Sequence, residues 1–257
     1  VTPGAPYAGL AAVWDLMGQD RHSARMVDYT LALMKRHRIR AVTGLDLCCG
    51  TGTALARFLD RGFIMAGLDG SPEMIAQAAR KLRGRGVRLY QKTLPAFRLI
   101  PDDRPRGTVR VDFITCFYDS LNHLLTERDL GAAFRSVHDH LNDRGWFIFD
   151  MNTAAALSDI WSGHVFADAR EELAWVWKSE YQARSRTACL TAATFVKRGD
   201  RWDRFDEIHY ERAYSNTRIR QLLRSAGFTV RGFYDCYRFT PADRSTLRVC
   251  VVARRRT

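Results

Sequence analysis

From Ala41 onward the chain alternates apolar runs with amphipathic stretches, the pattern of βαβ units that build a parallel sheet. Val42 to Leu47 predicts a strand and Thr53 to Asp60 the helix after it. Phe63 to Asp69 predicts a second strand, Ser71 to Leu82 a helix and Val87 to Gln91 a third strand. Ser71-Pro72-Glu73 opens that helix: Ser71 suits the N-cap, Pro72 the first turn, where no amide is needed, and Glu73 the positive end of the dipole. Val111 to Phe117, apolar apart from Asp112 and Thr115, predicts a fourth strand, Glu127 to Leu141 a helix and Trp146 to Asp150 a fifth strand. Five α/β units thus run to about residue 151.

After Met151 the period changes. Residues 164–213 are rich in Trp, Tyr, Phe and Thr and alternate with period two, with Arg-Gly-Asp-Arg (198–201) as a turn, which predicts an antiparallel insertion. Asn216 to Ser225 predicts a short helix ended by Gly227, and two strands follow, Thr229 to Tyr237 and Leu247 to Ala253. They are expected to resume the parallel architecture and close the sheet. The Pro/Asp/Arg stretch at residues 101–107 is expected to be the most mobile segment.

Composition narrows the class. The 257 residues are 46% hydrophobic, 26% charged and 11% aromatic, the balance of a folded globular chain. No apolar run approaches the roughly 18–20 residues a membrane span needs, and the start lacks a basic segment followed by a long apolar core, so a cytoplasmic protein is expected, with no membrane partner. The six cysteines (Cys48, Cys49, Cys116, Cys189, Cys236, Cys250) have neither CxxC nor regular spacing, which argues for buried or reduced thiols and against a disulfide framework or a metal site.

The chemistry concentrates in Leu45-Asp46-Leu47-Cys48-Cys49-Gly50-Thr51-Gly52-Thr53, where the first strand turns into the first helix. Gly50 and Gly52 permit a sharp turn and a close ligand approach. Position 48 is Cys and no third glycine follows, so this is not the dinucleotide GxGxxG. Asp69 ends the second strand 17 positions after Gly52, where a carboxylate can accept from a ribose diol.

These motifs, with Gly67-Leu68-Asp69-Gly70-Ser71-Pro72-Glu73-Met74 and Val111 through Tyr118-Asp119-Ser120-Leu121-Asn122, resemble a class I S-adenosylmethionine (SAM) dependent methyltransferase. Phe147-Ile148-Phe149-Asp150-Met151-Asn152-Thr153 and the later Phe205 to Tyr214 resemble in particular the small-molecule branch with a β-stranded cap, which includes amino-sugar and glycine N-methyltransferases. The resemblance implies a Rossmann-like seven-stranded, mostly parallel α/β sheet with helices on both faces and an antiparallel β cap. Residues 1–40 would be a helical segment over the cofactor, 41–153 and 215–257 the SAM-binding core, and 154–214 the cap. SAM has no pyrophosphate, which suits the missing third glycine. Its methionyl amine and carboxylate suit Asp46 and the backbone near Gly50, and its ribose suits Asp69.

By the same resemblance Cys49, Thr51, Gly52 and Gly70 join the cofactor contacts, Met74 and Leu94 flank the adenine, and Cys116 and Phe117 lie under the methionyl arm and sulfonium. Where the family often has an acidic residue after the third strand, this chain has Gln91, whose amide oxygen stands in. Tyr7, Asp119, His123, Glu207 and His209 are the candidate bases or catalytic ligands, and Trp14, Tyr118, Asn122 and Arg212 the candidate acceptor contacts; no metal is implied. Plainer readings stand beside these: Asp119 as a helix cap, His123 as helix packing, Glu207 and His209 as a solvated strand face, Lys92 as a surface charge. Trp161, Trp175 and Trp177 read as cap core ahead of an aromatic cage for a cation.

The expected reaction is methyl transfer from SAM to a small molecule, with N-methylation favoured over O-methylation. RNA methylation and non-catalytic SAM binding are the alternatives, and a homodimer is compatible with the sequence. The net charge of +12 suits RNA, but no Asn-Pro-Pro-Tyr type of motif follows the fourth strand, and nucleic acid is not the expected partner. Ten basic residues fall between Arg80 and Arg110, on the outside of the second helix and its loop, and read as solvated surface.

Overall fold

The computed structural model describes residues 7–101 and 107–257, so the expectation of mobility at 101–107 falls mostly outside the described residues. After a short 3-10 turn at Leu10–Ala12, the chain forms α1 (Asp20–Arg36), β1 (Thr43–Leu47), α2 (Thr53–Leu59), β2 (Ile64–Asp69), α3 (Pro72–Lys81), β3 (Arg88–Gln91) and β4 (Val111–Cys116). Then come α4 (Glu127–Asp139), β5 (Leu141–Asn152), β6 (Val165–Ala169), β7 (Leu173–Gln182), β8 (Thr187–Arg198), β9 (Arg201–Arg212), α5 (Asn216–Ser225), β10 (Phe228–Asp235) and β11 (Arg248–Arg255). As expected, Ser71 Oγ caps α3 by accepting the Met74 amide.

Seven strands form one sheet in the order β10-β11-β5-β4-β1-β2-β3, and β6 to β9 form a second, antiparallel sheet. The first sheet is a Rossmann-like α/β sheet, parallel from β3 through β5. Two expectations need correction. Strand β11 runs antiparallel to both β5 and β10, because residues 236–247 contain only turns and no crossover helix. Between β3 and β4 the described residues form no helix, so that unit is a strand and loop. Strand β5 also begins earlier than expected, at Leu141, because its start is bulged: the pairing shifts between Val111–Leu141 and Phe113–Trp146.

Period two sorts the core onto the two faces of the sheet. Leu45, Leu47, Ile114, Phe147 and Phe149 face α4 and α5, packing with Leu130, Phe134, Ile219 and Leu223. Phe113, Met65, Ile148 and Val252 point the other way, against Met26 and Leu33 of α1, Leu55 and Phe58 of α2 and Ala78 of α3. In the second sheet Leu173, Trp175 and Trp177 share the buried face of β7, and small Ala192 pairs with Trp177. The two-residue turn Gly199-Asp200 joins β8 to β9. Among the described residues no helix is long and apolar enough to cross a membrane.

Candidate active site

The strand order reverses between β1 and β4, which opens a crevice beyond their C-terminal ends. There the chain turns through three left-handed residues, Cys48, Gly50 and Gly52, with φ of 52°, 54° and 82°. At Gly52 an added Cβ would also lie 3.2 Å from Ala78 Cβ, so glycine lets α2 start close against α3. The turn is tied to the next strand by Asp69: its Oδ2 accepts the Gly50 amide at 2.8 Å and its Oδ1 the Ser71 amide at 2.9 Å. Asp46, only 2% exposed, accepts Thr115 Oγ1 at 2.6 Å. Burial pushes Asp46 up to about 7 against the pull of that hydrogen bond, and also raises Asp69 despite the Ser71, Gly50 and Gly70 amides.

Above these acids lies a cavity of about 590 Å³, within the usual range for small-molecule sites. Asp46, Cys49, Gly50, Thr51, Asp69, Gly70, Met74, Leu94 and Phe117 line it, as does Lys92, which was read from sequence as a plain surface charge. The N-terminal segment closes its top and is fastened at both ends. Thr51 Oγ1 donates to Asp15 Oδ1 at 2.7 Å, and Lys81 Nζ reaches Asp15 Oδ2 at 2.6 Å. At the other end Glu207, 2% exposed, accepts the amides of Tyr7, Gly9 and Leu10 at 2.7, 3.0 and 3.1 Å. Burial opposes its ionisation, but His209 and these amides outweigh it and hold the carboxyl below its ordinary value.

A second cavity of about 210 Å³ lies between the two sheets, walled by Trp161, Phe166, Trp175 and Trp177 and floored by Asp119 and Glu211. Tyr7, Trp14, Tyr118, His123 and His209 line both cavities and form their junction. His123 Nδ1 lies 2.9 Å from the Tyr210 carbonyl, which only accepts, so the proton sits on Nδ1. Nε2 is then free to accept from the Tyr7 hydroxyl, 3.1 Å away. Burial lowers the His123 pKa and raises that of Tyr7, so the pair is a neutral imidazole and a neutral phenol.

Asp119, which lines the second cavity, and Asp150, which does not, are organised differently. Arg248 Nη1 donates to Asp119 Oδ1 at 2.7 Å and also to Asp150 Oδ2. Burial would raise Asp150, but Arg248 and His22 bring it down to about 2. Asp150 Oδ1 also accepts the Tyr118 amide at 2.8 Å, which fixes a turn whose Tyr118 and Asp119 are both left-handed.

Several sequence expectations are displaced. Glu207 lines neither cavity; its carboxylate is taken up by the three amides and by His209 Nε2 at 2.9 Å, so it fastens the segment and does not face a ligand. Asn122 is fully buried, its Nδ2 donating to the Asn152 and Arg212 carbonyls at 3.0 Å each, which ties the sheets together and leaves nothing for an acceptor. Arg212 turns away, donating to the Leu125 carbonyl and lying over Tyr214. Cys116 is buried in the core under α4, one strand position too deep to touch the cavity, and Gln91 and Gly52 are likewise absent from its lining. His123 belongs to a 3-10 turn (Ser120–His123) that carries it to the junction, so helix packing does not describe it. His209 is buried and is no solvated face. Trp175 and Trp177 are cap core, as read from the sequence, and they also form part of the wall of the second cavity.

Sequence reasoning missed Arg248, His22 and Asp150. Arg248 reaches partners 129 and 98 positions away, and no local pattern announces such a pairing. For Asp150 a signal existed, an acid ending a buried strand at the productive sheet edge.

The family model for a methyltransferase domain matches residues 45–145. A putative methyltransferase of Geobacillus sp. (strain WCH70) is 30% identical over 190 residues, covering 72% of this chain and 73% of the relative. A dTDP-3-amino-3,6-dideoxy-alpha-D-glucopyranose N,N-dimethyltransferase of Streptomyces fradiae is 32% identical over 144 residues, 54% of this chain and 52% of that one. Among solved structures, an S-adenosylmethionine-dependent methyltransferase from Clostridium acetobutylicum ATCC 824 superposes with a TM-score of 0.84 at 26% identity, covering 98% of this chain and 100% of the other.

Proposed function

Because this chain belongs to the SAM-dependent methyltransferases, we propose that it methylates a small-molecule amine seated in the second cavity, next to SAM in the first. The observation that carries this reading is the junction: five side chains line both cavities, so ligands in the two would meet there. The amine acceptor is favoured by the acidic floor of the second cavity and by the amino-sugar acceptor named for the Streptomyces fradiae relative.

The residues of the larger cavity fit SAM. Asp69 Oδ2 and Oδ1, which accept the Gly50 and Ser71 amides, retain acceptor capacity for a ribose hydroxyl. Asp46, raised by burial, would regain its charge beside a methionyl ammonium. Met74 and Leu94 offer apolar contact for an adenine ring, and Phe117 for the methionyl arm. When bound, SAM supplies a methyl group on a sulfonium whose leaving group is a neutral thioether.

The chain's own part is orientation and exclusion of water. With its proton directed at His123, the Tyr7 oxygen offers lone pairs to an acceptor N–H and so turns the nitrogen lone pair toward the first cavity. Trp14 and Tyr118 would hold the acceptor body. Residues 1–40 would cover the cofactor, 41–153 and 215–257 bind it, and 154–214 form the acceptor cap. A nucleic-acid acceptor is disfavoured because the second cavity is small and acidic.

The test is methyl transfer from labelled SAM to a panel of small amines, alcohols and total RNA. Label in an amine product is expected. Label confined to RNA, with a steep salt dependence, would replace this reading with the nucleic-acid one.

A further inference from the structure

Asp119 and Glu211 are the two carboxyls that line the second cavity, and among the described residues no Lys or Arg lines it. One guanidinium, Arg248, serves both Asp119 and Asp150, and Asp150 is ionised throughout the neutral range. From β9, Glu211 adds a third carboxyl to the same group: its Oε2 accepts Asn152 Nδ2 at 2.8 Å and it is hydrogen-bonded to Asp119. Two carboxyls can share a hydrogen bond only through a proton. A second observation points to a ligand. Trp177, 8% exposed, lines this cavity, and its buried indole N–H has no partner among the described residues. A buried donor without a partner is costly, and an acceptor oxygen brought within reach by an entering molecule would satisfy it.

We propose that Glu211, joined to Asp119, is the specificity-determining group of the second cavity, admitting acceptors that carry a protonated amine with an oxygen nearby for the Trp177 N–H. This rests on the reading of that cavity as the acceptor site. The surrounding groups leave this role to Glu211. Tyr7 and Tyr118 face it as neutral phenols, and His209 lies on its own strand. Asn152 faces it from β5 and Arg248 from β11; Arg248 also pairs with Asp150, which His22 reaches at 3.7 Å. Its β8 neighbour, Ala188, carries no charge.

With the cavity empty, burial and the Asp119 charge keep Glu211 protonated well above the usual carboxylate range. An entering ammonium supplies that positive charge itself, so the shared proton departs to solvent and the charge inside is unchanged. The freed carboxylate can then take one proton from the bound ammonium: an N–H bond breaks, an O–H bond forms on Glu211, and the nitrogen lone pair becomes available.

The proposal is tested by calorimetric titration of choline and of its uncharged isostere 3,3-dimethyl-1-butanol into protein saturated with S-adenosylhomocysteine, at several pH values. Choline should bind at least ten times more tightly than the isostere. Its affinity should rise about tenfold per pH unit until Glu211 ionises, with one proton released per choline bound. Glu211→Gln should weaken choline at least tenfold and flatten the pH profile, with S-adenosylhomocysteine affinity unchanged. Equal binding of choline and isostere, no choline binding, or an unchanged profile in Glu211→Gln would overturn the assignment. If labelled methyl still reaches amines in that case, only the role of Glu211 falls; if no amine is labelled, the acceptor reading falls with it.

Discussion

Buried carboxylates line both cavities, but their partners differ. In the larger one Asp46 and Asp69 are held by a hydroxyl and by backbone amides, with no cation in their hydrogen-bonding. At the smaller one Asp119 shares the Arg248 guanidinium with Asp150, which does not itself line the cavity. Neutral donors leave a carboxylate short of positive charge and with spare lone pairs, which prepares it for a ligand bearing hydroxyls and an ammonium. A guanidinium instead locks the acids in place, so the turn carrying Tyr118 keeps its shape whether or not a ligand is present. The first cavity is thus built to receive and the floor of the second to hold position, with Glu211 the acid left over.

The largest effect expected is on the device that covers both. Glu207→Ala leaves three buried amides without their carboxylate and should cost about 3–5 kcal/mol of stability, read from denaturant unfolding. SAM binding and methyl transfer should both suffer, because the segment bearing Tyr7 and Trp14 loses its anchor. A variant that unfolds like the native chain would mean the segment is held elsewhere.

Next is the contrast in proton affinity. Asp46 is raised to about 7 in the ligand-free fold, and an unfolded Asp ionises near its ordinary value. Below that value both states carry the proton and the contribution is full. As pH climbs toward 7 the unfolded chain ionises first, and stability on the order of 4 kcal/mol is lost across the window. Asp150, lowered to about 2, behaves oppositely: its contribution is present above the ordinary value and lost as pH falls through about 2. Asp46→Asn should therefore flatten the slope between about pH 4 and pH 7 while leaving acid unfolding intact. Thermal melts across that range check it, and an unaltered slope would contradict the assignment.

At the junction, Tyr7→Phe removes one oxygen and keeps the ring. Methyl transfer should fall roughly 100-fold with SAM affinity within about twofold, since orientation and not cofactor binding is lost. A parallel loss of SAM affinity would place Tyr7 in the first cavity alone.

How much of this was legible follows the same division. The strands from Thr43 to Cys116, the glycine turn, Asp46 and Asp69 lie close together in the sequence, and βαβ periodicity places them at one sheet edge. The direction of β11 was misjudged: a parallel continuation was expected, although no helical stretch separates β11 from β10 and a turn can only return the chain antiparallel. The second cavity was less legible. Alternation places Glu207, His209 and Glu211 on one face of β9, but nothing local says that the first is taken up by amides some 200 positions away while the third stays at the cavity. Asn122 and Arg212 failed for the same reason, since their side chains answer to contacts made only on folding.

The smallest effect expected is outside both cavities. Arg85 pairs with Asp60 on the exposed face of the basic region, at 2.6 Å. Arg85→Ala should change stability by less than about 1 kcal/mol and leave methyl transfer to amines unchanged. A marked rise in KM would give the basic surface a part in acceptor capture.

The division between the two cavities is tested most directly by calorimetric titration of SAM into Asp69→Ala and Glu211→Gln side by side. Loss of the ribose acceptor should weaken SAM roughly 100-fold in Asp69→Ala, and Glu211→Gln should bind it within about twofold of the native protein. Equal weakening in both, or undiminished binding by Asp69→Ala, would contradict the assignment of one cavity to the cofactor and the other to the acceptor.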